Sequence, residues 1–206
     1  MTVLAINGSP NKQGNTAQAL KIVTDALHAQ GILTQTMHIG DQPIQGCTAC
    51  HHCRQSGAGR CVHDDLVNEA LRLMEQADGL VIGAPVYYAG IAGGMKSFLD
   101  RFFFVGAPLR FKVGAAVTVL RRSGAITAFD QLNHYFNLQN MLITPSSYWT
   151  AIHGCIPGEI HRDEEGMDIL QNTARNMAWL LQTLAYAKAA VPPPEPMPRV
   201  STNFIR

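Results

Sequence analysis

Short apolar segments alternate with amphipathic segments through the first 190 residues, and this alternation restricts the fold more than any other feature. The segments at 2–6, 80–84 and 113–120 are apolar and end in turn residues, as buried strands do. Strands that alternate with helices form a parallel sheet covered by helices on both faces. We therefore predict an α/β domain with strands at 2–6, 33–39, 80–84, 113–120 and 141–144, the last extended by 151–152, and helices at 16–29, 64–76, 92–104, 126–138 and 168–188.

Three polar or glycine-containing loops directly follow predicted strands, at Ser9–Thr16, Pro85–Gly90 and Arg121–Gly124. In an open parallel sheet the carboxyl ends of the strands lie along one edge. Ligands bind at that edge, where the strand order reverses. The sequence therefore predicts that these three loops share one ligand-binding crevice.

The first loop combines small and polar residues with the start of a predicted helix. Free backbone N–H groups and the positive end of the helix dipole meet at such a point, which suits a phosphate. The loop has neither the G-x-x-x-x-G-K-[ST] pattern of triphosphate sites nor the G-x-G-x-x-G pattern of dinucleotide sites. It therefore favours a single phosphomonoester, with an ordinary strand-to-helix turn as the alternative. The candidate phosphate ligands are Ser9, Asn11, Gly14, Asn15 and Thr16.

The other two loops carry groups that suit a flat ring. Tyrosine side chains and exposed peptide edges in the second loop can pack against a heteroaromatic ring. Cationic donors in the third loop can stabilise an anionic reduced ring or bind the phosphate of a pyridine nucleotide. The alternatives are tyrosines that only cover the core and a solvated turn with paired arginines. The candidate residues are Pro85, Val86, Tyr87, Tyr88, Gly90, Arg121, Arg122, Ser123 and Gly124.

The length and charge of the chain argue against several classes of protein. A chain of 206 residues suits one α/β domain, which we assign to 1–190, followed by a proline-rich tail at 191–206. A net charge of +1 and 15% charged residues argue against a nucleic-acid surface. No apolar run reaches the roughly 18–20 residues of a membrane span, and the N-terminus enters a strand rather than a signal peptide. We expect a cytoplasmic protein without membrane insertion, whose cysteines stay reduced.

An irregular insert at 46–63 carries four of the five cysteines, namely Cys47, Cys50, Cys53 and Cys61. Three cysteines at two-residue spacing readily surround one centre, and four thiolates suit a [4Fe–4S] cluster or, less well, zinc. The spacing differs from the ferredoxin run, whose last gap is three residues followed by proline. Reduced thiols without any metal are the alternative. The remaining cysteine, Cys155, is expected to be a small buried apolar residue.

Three motifs resemble those of the flavodoxin-like NAD(P)H-dependent FMN reductase superfamily: Asn7-Gly8-Ser9-Pro10 with Gly14-Asn15-Thr16, then Gly83-Ala84-Pro85-Val86-Tyr87-Tyr88, then Gly94-Met95-Lys96-Ser97-Phe98-Leu99-Asp100-Arg101. The resemblance implies a three-layer fold with a five-stranded parallel sheet of order 2-1-3-4-5 and bound FMN. It implies an FMN phosphate on Ser9, Asn11, Asn15 and Thr16, a flavin ring against the second and third loops, and homodimers or homotetramers.

The cysteine-rich insert resembles the compact motif of the iron–sulfur flavoproteins in the same superfamily. This resemblance implies a cluster that exchanges single electrons with FMN. The third motif opens a helix, and we expect its charged residues Lys96, Asp100 and Arg101 to lie in solvent.

We interpret the sequence as that of an FMN-dependent oxidoreductase. NADPH or NADH would deliver a hydride to the flavin, which would reduce a quinone, a free flavin or a similar small acceptor. Because the cofactor carries the chemistry, we name no catalytic side chain, and Tyr88 and Arg122 are candidates for contact with the nicotinamide or the acceptor. The alternatives are an iron–sulfur electron-transfer protein that takes no hydride, and a flavin-binding regulator whose cysteines sense oxidants.

Overall fold

The computed structural model describes residues 1–198, 200 and 202, and its core is a parallel sheet between two layers of helices. The strands are β1 (Thr2–Asn7), β2 (Leu33–His38), β3 (Gly79–Tyr87), β4 (Gly90–Ile91, antiparallel to β3), β5 (Val113–Leu120), β6 (Leu142–Ile143) and β7 (Ala151–His153). In the sheet β2, β1, β3 and β5 are neighbours in that order, and both β6 and β7 pair with β5. The predicted order 2-1-3-4-5 is confirmed, with β5 as the predicted fourth strand and β6 and β7 as two halves of the fifth.

The described residues form six α-helices and one 3-10 helix at Glu159–Arg162. The last α-helix begins four residues before its predicted start, because the Asp163 side chain caps it by accepting from the Gly166 N–H. A short helix at His52–Gln55, α2, lies in the cysteine-rich insert, where the sequence predicts none. The helices are α1 (Asn15–His28), α2 (His52–Gln55), α3 (Leu66–Gln76), α4 (Gly93–Val105), α5 (Ala125–Leu138) and α6 (Glu164–Ala187).

Successive residues of the central strands face opposite helix layers, because side chains alternate along a strand. In β1, Val3 and Ala5 pack in the core with α1 and α6, whereas Leu4 and Ile6 pack in the core with α3, α4 and α5. All four side chains are buried. Strands that are apolar on both faces occur inside a parallel sheet covered by helices. For this reason the continuous apolar runs in the sequence correctly predict the positions of β1, β3 and β5.

The fifth strand is split because residues 145–149 leave the sheet between β6 and β7, whereas the Thr144 N–H still donates to the Gly114 carbonyl of β5 at 2.8 Å. Two buried threonines close the gap where the chain returns. The Thr118 N–H and hydroxyl both donate to the Thr150 carbonyl, at 2.9 and 3.2 Å. The Thr150 hydroxyl in turn donates to the Ala116 carbonyl. Tyr148 and Trp149, whose side chains are exposed, therefore lie outside the sheet, while Thr118 and the Ala116 carbonyl of β5 keep hydrogen-bond partners.

In the described part of the chain, no helix has both the length and the apolar character that crossing a membrane requires. Residues 191–198 are exposed and lack regular structure, and Arg110 donates to the Pro194 carbonyl at 2.6 Å. The predicted division of the chain at residue 190 stays a prediction. Of the predicted tail, residues 199, 201 and 203–206 lie outside the described part.

A polar bridge joins α4 to α5. Lys96 donates to both carboxylate oxygens of Asp100 at 2.6 Å, and the Tyr135 hydroxyl donates to the same carboxylate. Burial and the Asp100 carboxylate raise the pKa of Tyr135 to about 12, because both disfavour the phenolate. The neutral hydroxyl therefore ties the two helices together throughout the neutral pH range.

The bridge predicts that Tyr135 loses its proton at a higher pH than an ordinary tyrosine. The wild-type protein and the Tyr135→Phe variant are titrated at high pH, and tyrosinate absorbance is followed. We expect their difference to report one group with a midpoint of about 12. Because this value lies above the unfolded pKa of about 10, the hydroxyl stabilises the fold below that pH and loses its effect as the pH rises through both values. A difference titration centred near the unfolded value would contradict the bridge.

Candidate functional site

The three loops predicted to share a crevice meet at the carboxyl edge of the sheet. Nine of the predicted residues line the crevice between them: Ser9, Asn11, Gly14, Asn15, Thr16, Pro85, Val86, Tyr87 and Arg121. The rest of its lining comes from the end of β5 and from a fourth loop that the sequence analysis did not single out. These additional residues are Val119, Leu120, Gly154, Cys155 and Pro157.

The first loop presents the start of α1 to the crevice. Its shape is held internally, since the Ser9 N–H donates to Asn7 Oδ1 at 3.1 Å and the Asn11 N–H donates to Ser9 Oγ at 3.2 Å. Gly14 is the N-cap of α1 and has no side chain to accept from the first amides of the helix. The first turn also carries no acidic residue. The positive end of the helix dipole is therefore not compensated by a side chain of this turn.

The sequence predicts Asn15 as a phosphate ligand, but in the structure its side chain is engaged with the fourth loop. Its Nδ2 donates to the Ile156 carbonyl at 2.9 Å, and its Oδ1 accepts from the Gly158 N–H at 2.9 Å. The Asn15 amide thus joins the first loop to a segment more than 140 residues later in the chain. The Asn15 side chain therefore holds the fourth loop, which forms part of the wall of the crevice.

The fourth loop, residues 154–158, lies between β7 and the 3-10 helix. The Glu159 carboxylate accepts from the backbone N–H groups of Cys155 and Ile156 at 2.7 and 3.1 Å, and these bonds lower the pKa of Glu159. Cys155 is exposed, so the expectation that it is a buried apolar residue is wrong. Its neighbours explain the difference, because this part of the chain is held by polar contacts rather than by apolar packing.

The second loop is a tight hairpin, because β3 continues to Tyr87 and pairs with β4. Tyr88 lies in the turn with a φ of 57°, a left-handed conformation that is uncommon for a residue other than glycine. Its side chain is fully exposed and lies outside the lining of the crevice. Gly90 is also outside the lining, and it packs against Gln131, which accepts from the Ile91 N–H at 3.0 Å. Of this pair of tyrosines, Tyr87 is the one that lines the crevice.

Gly124 brings the third loop against the second. It has a φ of 91°, and a Cβ at this position would lie 2.9 Å from Val86 Cγ1 and 3.1 Å from the Tyr88 carbonyl oxygen. Only glycine suits both the left-handed backbone and this close approach. Gly124, Arg122 and Ser123 lie outside the lining of the crevice, whereas Arg121 contributes to it.

A larger groove, of about 510 Å³, runs along the edge strand β2 between α1 and α3. Many of its side chains are polar or charged, among them Lys12, Lys21 and Glu69. It follows the side of one edge strand. The crevice instead lies where strand-end loops and a helix start come together, which is where open α/β sheets bind ligands. We therefore take the crevice as the candidate ligand site.

The four cysteines of the insert line one small cavity beside the last turns of α4. All four are free thiols, of which Cys47 and Cys50 are exposed and the other two are partly buried. Ala49 and His51, on either side of Cys50, have φ values of 52° and 56°, so the backbone bends sharply around that cysteine. No three His, Cys, Asp or Glu side chains among residues 1–198, 200 and 202 are arranged to hold a single metal ion.

Arg101 of α4 is buried beside this cavity, so the expectation that it lies in solvent is wrong. Its Nε donates to Cys61 Sγ at 3.2 Å, and its two Nη groups donate to the Asp65 carboxylate at 2.6 and 2.9 Å. Nη1 also donates to the Gln45 carbonyl, and Nη2 donates to the His63 carbonyl. Burial lowers the pKa of Arg101, but the contacts with Asp65 and Cys61 raise it more, so the net shift is upward.

Asn68 of α3 holds the backbone around Cys61. Its Oδ1 accepts from the Cys61 N–H at 2.8 Å, and its Nδ2 donates to the carbonyls of Cys61 and His63 at 3.1 and 3.2 Å. The Nε2 of His63, which lines the cavity, is buried and has no hydrogen-bond partner among the described residues. Cysteine spacing alone could not identify Asn68 or Arg101, because both reach the insert from separate helices.

Known proteins resemble this chain over most of its length. Residues 1–154 match the family described as NADPH-dependent FMN reductase. An iron-sulfur flavoprotein of Methanocaldococcus jannaschii is 31% identical over 193 residues, which cover 89% of this chain and 99% of that protein. An iron-sulfur flavoprotein of Archaeoglobus fulgidus is 35% identical over 198 residues, which cover 91% of this chain and 96% of that protein.

Solved structures share the fold at lower identity. RosB with bound 8-demethyl-8-formylriboflavin-5'-phosphate has a TM-score of 0.70 at 16% identity, covering 99% of this chain and 92% of that one. A flavodoxin from the domain Archaea has a TM-score of 0.59 at 12% identity, covering 88% of this chain and 99% of that one. The predicted flavodoxin-like fold is therefore confirmed. With 154 residues matched, the chain belongs to the NADPH-dependent FMN reductase family of flavin-dependent oxidoreductases.

Proposed function

We propose that the chain binds FMN in the crevice, reduces it with NADPH or NADH, and passes the electrons to a small acceptor such as a quinone or free flavin. The observation that carries this proposal is the meeting of three strand-end loops with the start of α1 in one crevice. Family membership supports a flavin-dependent oxidoreductase. The nicotinamide donor and the acceptor are the new parts of the proposal.

The phosphate of FMN would bind at the start of α1. The first-turn amides, which have no side-chain cap, are donors that suit phosphate oxygens. Thr16 adds a hydroxyl from a residue that lines the crevice and is only 2% exposed. Ser9 and Asn11, from the same loop, also line the crevice. Asn15 would act mainly by holding the fourth loop in place.

The flavin ring would lie against the second and third loops. Pro85, Val86 and Tyr87 offer apolar surface and peptide groups, and Arg121 adds a cation to the lining of the crevice. Bound FMN would supply hydride acceptance and electron release, while these residues orient the ring and keep water from its face. Tyr88 and Arg122, which are exposed near the crevice, are the proposed contacts for the nicotinamide or the acceptor.

We also propose that Cys47, Cys50, Cys53 and Cys61 hold a [4Fe–4S] cluster, which would supply one-electron transfer. Four free thiols around one cavity are the donor set that such a cluster requires. The buried His63 Nε2 and the Arg101 guanidinium fit the site as well, because sulfur ligands of clusters accept hydrogen bonds. The names of the two archaeal relatives support this part of the proposal.

The same cysteine cavity favours a second candidate function, an electron-transfer protein that is reduced by another protein rather than by a nicotinamide. In either case we propose a cytoplasmic homodimer or homotetramer. That assembly rests on the resemblance of the motifs to the superfamily and not on a contact within this chain.

Anaerobic mixing with NADPH or NADH distinguishes the two functions. We expect the absorbance of the FMN-loaded protein to bleach at about 1 per second or faster, as in typical enzymes. The control is the same protein mixed with a reduced protein electron donor. Flavin that stays oxidised with either nicotinamide, but is reduced by the protein donor, would contradict the reductase and support the electron-transfer protein.

The cluster is tested by iron analysis of anaerobically purified protein. We expect about four irons per chain, and we expect Cys50→Ser to lose this iron because it removes one of four thiolate ligands. Cys155→Ser is the matched control, since this cysteine lies outside the cysteine cavity. A wild-type protein that carries flavin but no iron would show that the thiols hold no cluster.

Two neighbouring substitutions test how FMN is held. Thr16→Val removes a donor to the phosphate, so we expect FMN affinity to fall about 10-fold or more, as for a hydrogen bond to a charged group. Riboflavin affinity should be unchanged, because riboflavin has no phosphate. Asn15→Ala releases the fourth loop, so it should lower both affinities by similar factors. Quenching of flavin fluorescence measures all four values.

The alternatives predict different patterns. If Asn15→Ala weakens FMN binding but spares riboflavin, its side chain is a phosphate ligand rather than a support for the fourth loop. If Thr16→Val weakens riboflavin as much as FMN, the phosphate does not bind at the start of α1.

A further inference from the structure

We propose that Arg101 is a positioning residue for the metal–sulfur group of the cysteine cavity, holding Cys61 in place and setting how easily the group is reduced. The inference rests on the proposed [4Fe–4S] site. It adds to that site a residue that lies outside the cysteine motif, on a different element of the fold.

The hydrogen bonds of Arg101 show how it holds the insert. Arginine has five N–H donors in a planar fork, and here the structure gives each donor a partner. Two bonds go to the carboxylate of Asp65, which also caps α3, and two go to the carbonyls of Gln45 and His63. The fifth goes from Nε to Cys61 Sγ. One buried side chain therefore fixes both ends of the insert and one cysteine sulfur.

The charge of Arg101 bears on reduction. Its Nε lies 3.2 Å from the sulfur of Cys61, while the Asp65 carboxylate bonds to the two Nη groups of the same guanidinium. The positive charge is therefore in direct contact with the sulfur, and the negative charge is bonded to the other two nitrogens. A cluster with four thiolates becomes more negative on reduction. A fixed positive charge at a partly buried sulfur favours that reduced state.

A purely mechanical role would look similar in the structure, since the Arg101–Asp65 pair also joins α4 to the N-terminus of α3. The two roles differ in what they predict for the partners. If the pair only holds the insert in shape, removing either charge has the same kind of effect. If the charge acts on the metal–sulfur group, removing the cation and removing the anion shift its potential in opposite directions.

The test compares Arg101→Gln with Asp65→Asn in full-length protein that has been reconstituted anaerobically with ferrous iron and sulfide. Arg54→Gln is the matched control, because Arg54 is an exposed cation of the same insert that stacks on the Phe104 ring at 4.3 Å. The measurements are iron content, the rate of iron release to a chelator, and the midpoint potential followed by EPR. Flavin content and circular dichroism check the fold.

We expect Arg101→Gln to release iron about 10- to 100-fold faster than wild type, as for other losses of a partner to a metal ligand. Its midpoint potential should shift to a more negative value, and that of Asp65→Asn to a more positive one. Arg54→Gln should match wild type, because an exposed charge is screened. Arg101→Lys keeps the charge without the five-donor fork, so it should keep the potential but release iron faster.

The inference is overturned if Arg101→Gln and Asp65→Asn shift the potential in the same direction, or if Arg101→Gln leaves both potential and iron release at the wild-type values. If Arg101→Gln does not fold, Arg101→Lys and Asp65→Asn decide instead. The inference then requires a wild-type potential with faster iron release in Arg101→Lys and a more positive potential in Asp65→Asn, and any other result overturns it. A wild-type protein that takes up no iron would refute the [4Fe–4S] proposal itself, whereas iron uptake with unaltered variants would refute only the role of Arg101.

Discussion

Burial of the central strands on both faces is the constraint on which the rest of the structure depends. Strands β1, β3 and β5 carry apolar side chains toward both helix layers, so neither face can be left to water. Consecutive parallel strands of such a sheet are connected by crossover segments, usually helices, and such crossovers are right-handed. The parallel strands β1, β2, β3, β5 and β7 therefore all end at the same edge of the sheet. The crevice forms at that edge because the polar loops that follow these strands all lie there.

Much of this arrangement could be predicted from the sequence because it follows from local pattern. Continuous apolar runs locate the central strands, and the split of the fifth strand is visible as an interruption between Thr144 and Ala151. The convergence of Ser9–Thr16, Pro85–Tyr87 and Arg121 follows from strand order alone. Their chemical roles do not follow in the same way. The motif residue Asn15 lines the crevice, yet its side chain is bonded to a loop that no pattern connects with it.

The features that sequence could not predict depend on contacts between distant segments. Arg101 lies three residues after Phe98 and next to Phe102, so helical spacing places it on the buried face of α4. Its charge nevertheless favours a solvent-exposed side chain, because a buried cation is costly unless it is paired. The partners are Cys61 in the irregular insert, Asp65 at the N-cap of α3, and the carbonyls of Gln45 and His63. Cys155 shows the reverse: a residue type that is usually buried lies at the surface, where its N–H donates to the Glu159 carboxylate.

The split fifth strand has a consequence for how this fold can vary. The chain leaves the sheet after β6 and returns at Thr150, which exchanges hydrogen bonds with Thr118 and Ala116 of β5. Residues 145–149 make no pairing with β5, so their number and composition can change while the sheet stays intact. Only the three residues of β7 separate this excursion from the fourth loop, which lines the crevice. A longer excursion could thus add new surface one short strand away from the crevice, without changing the residues that build the core.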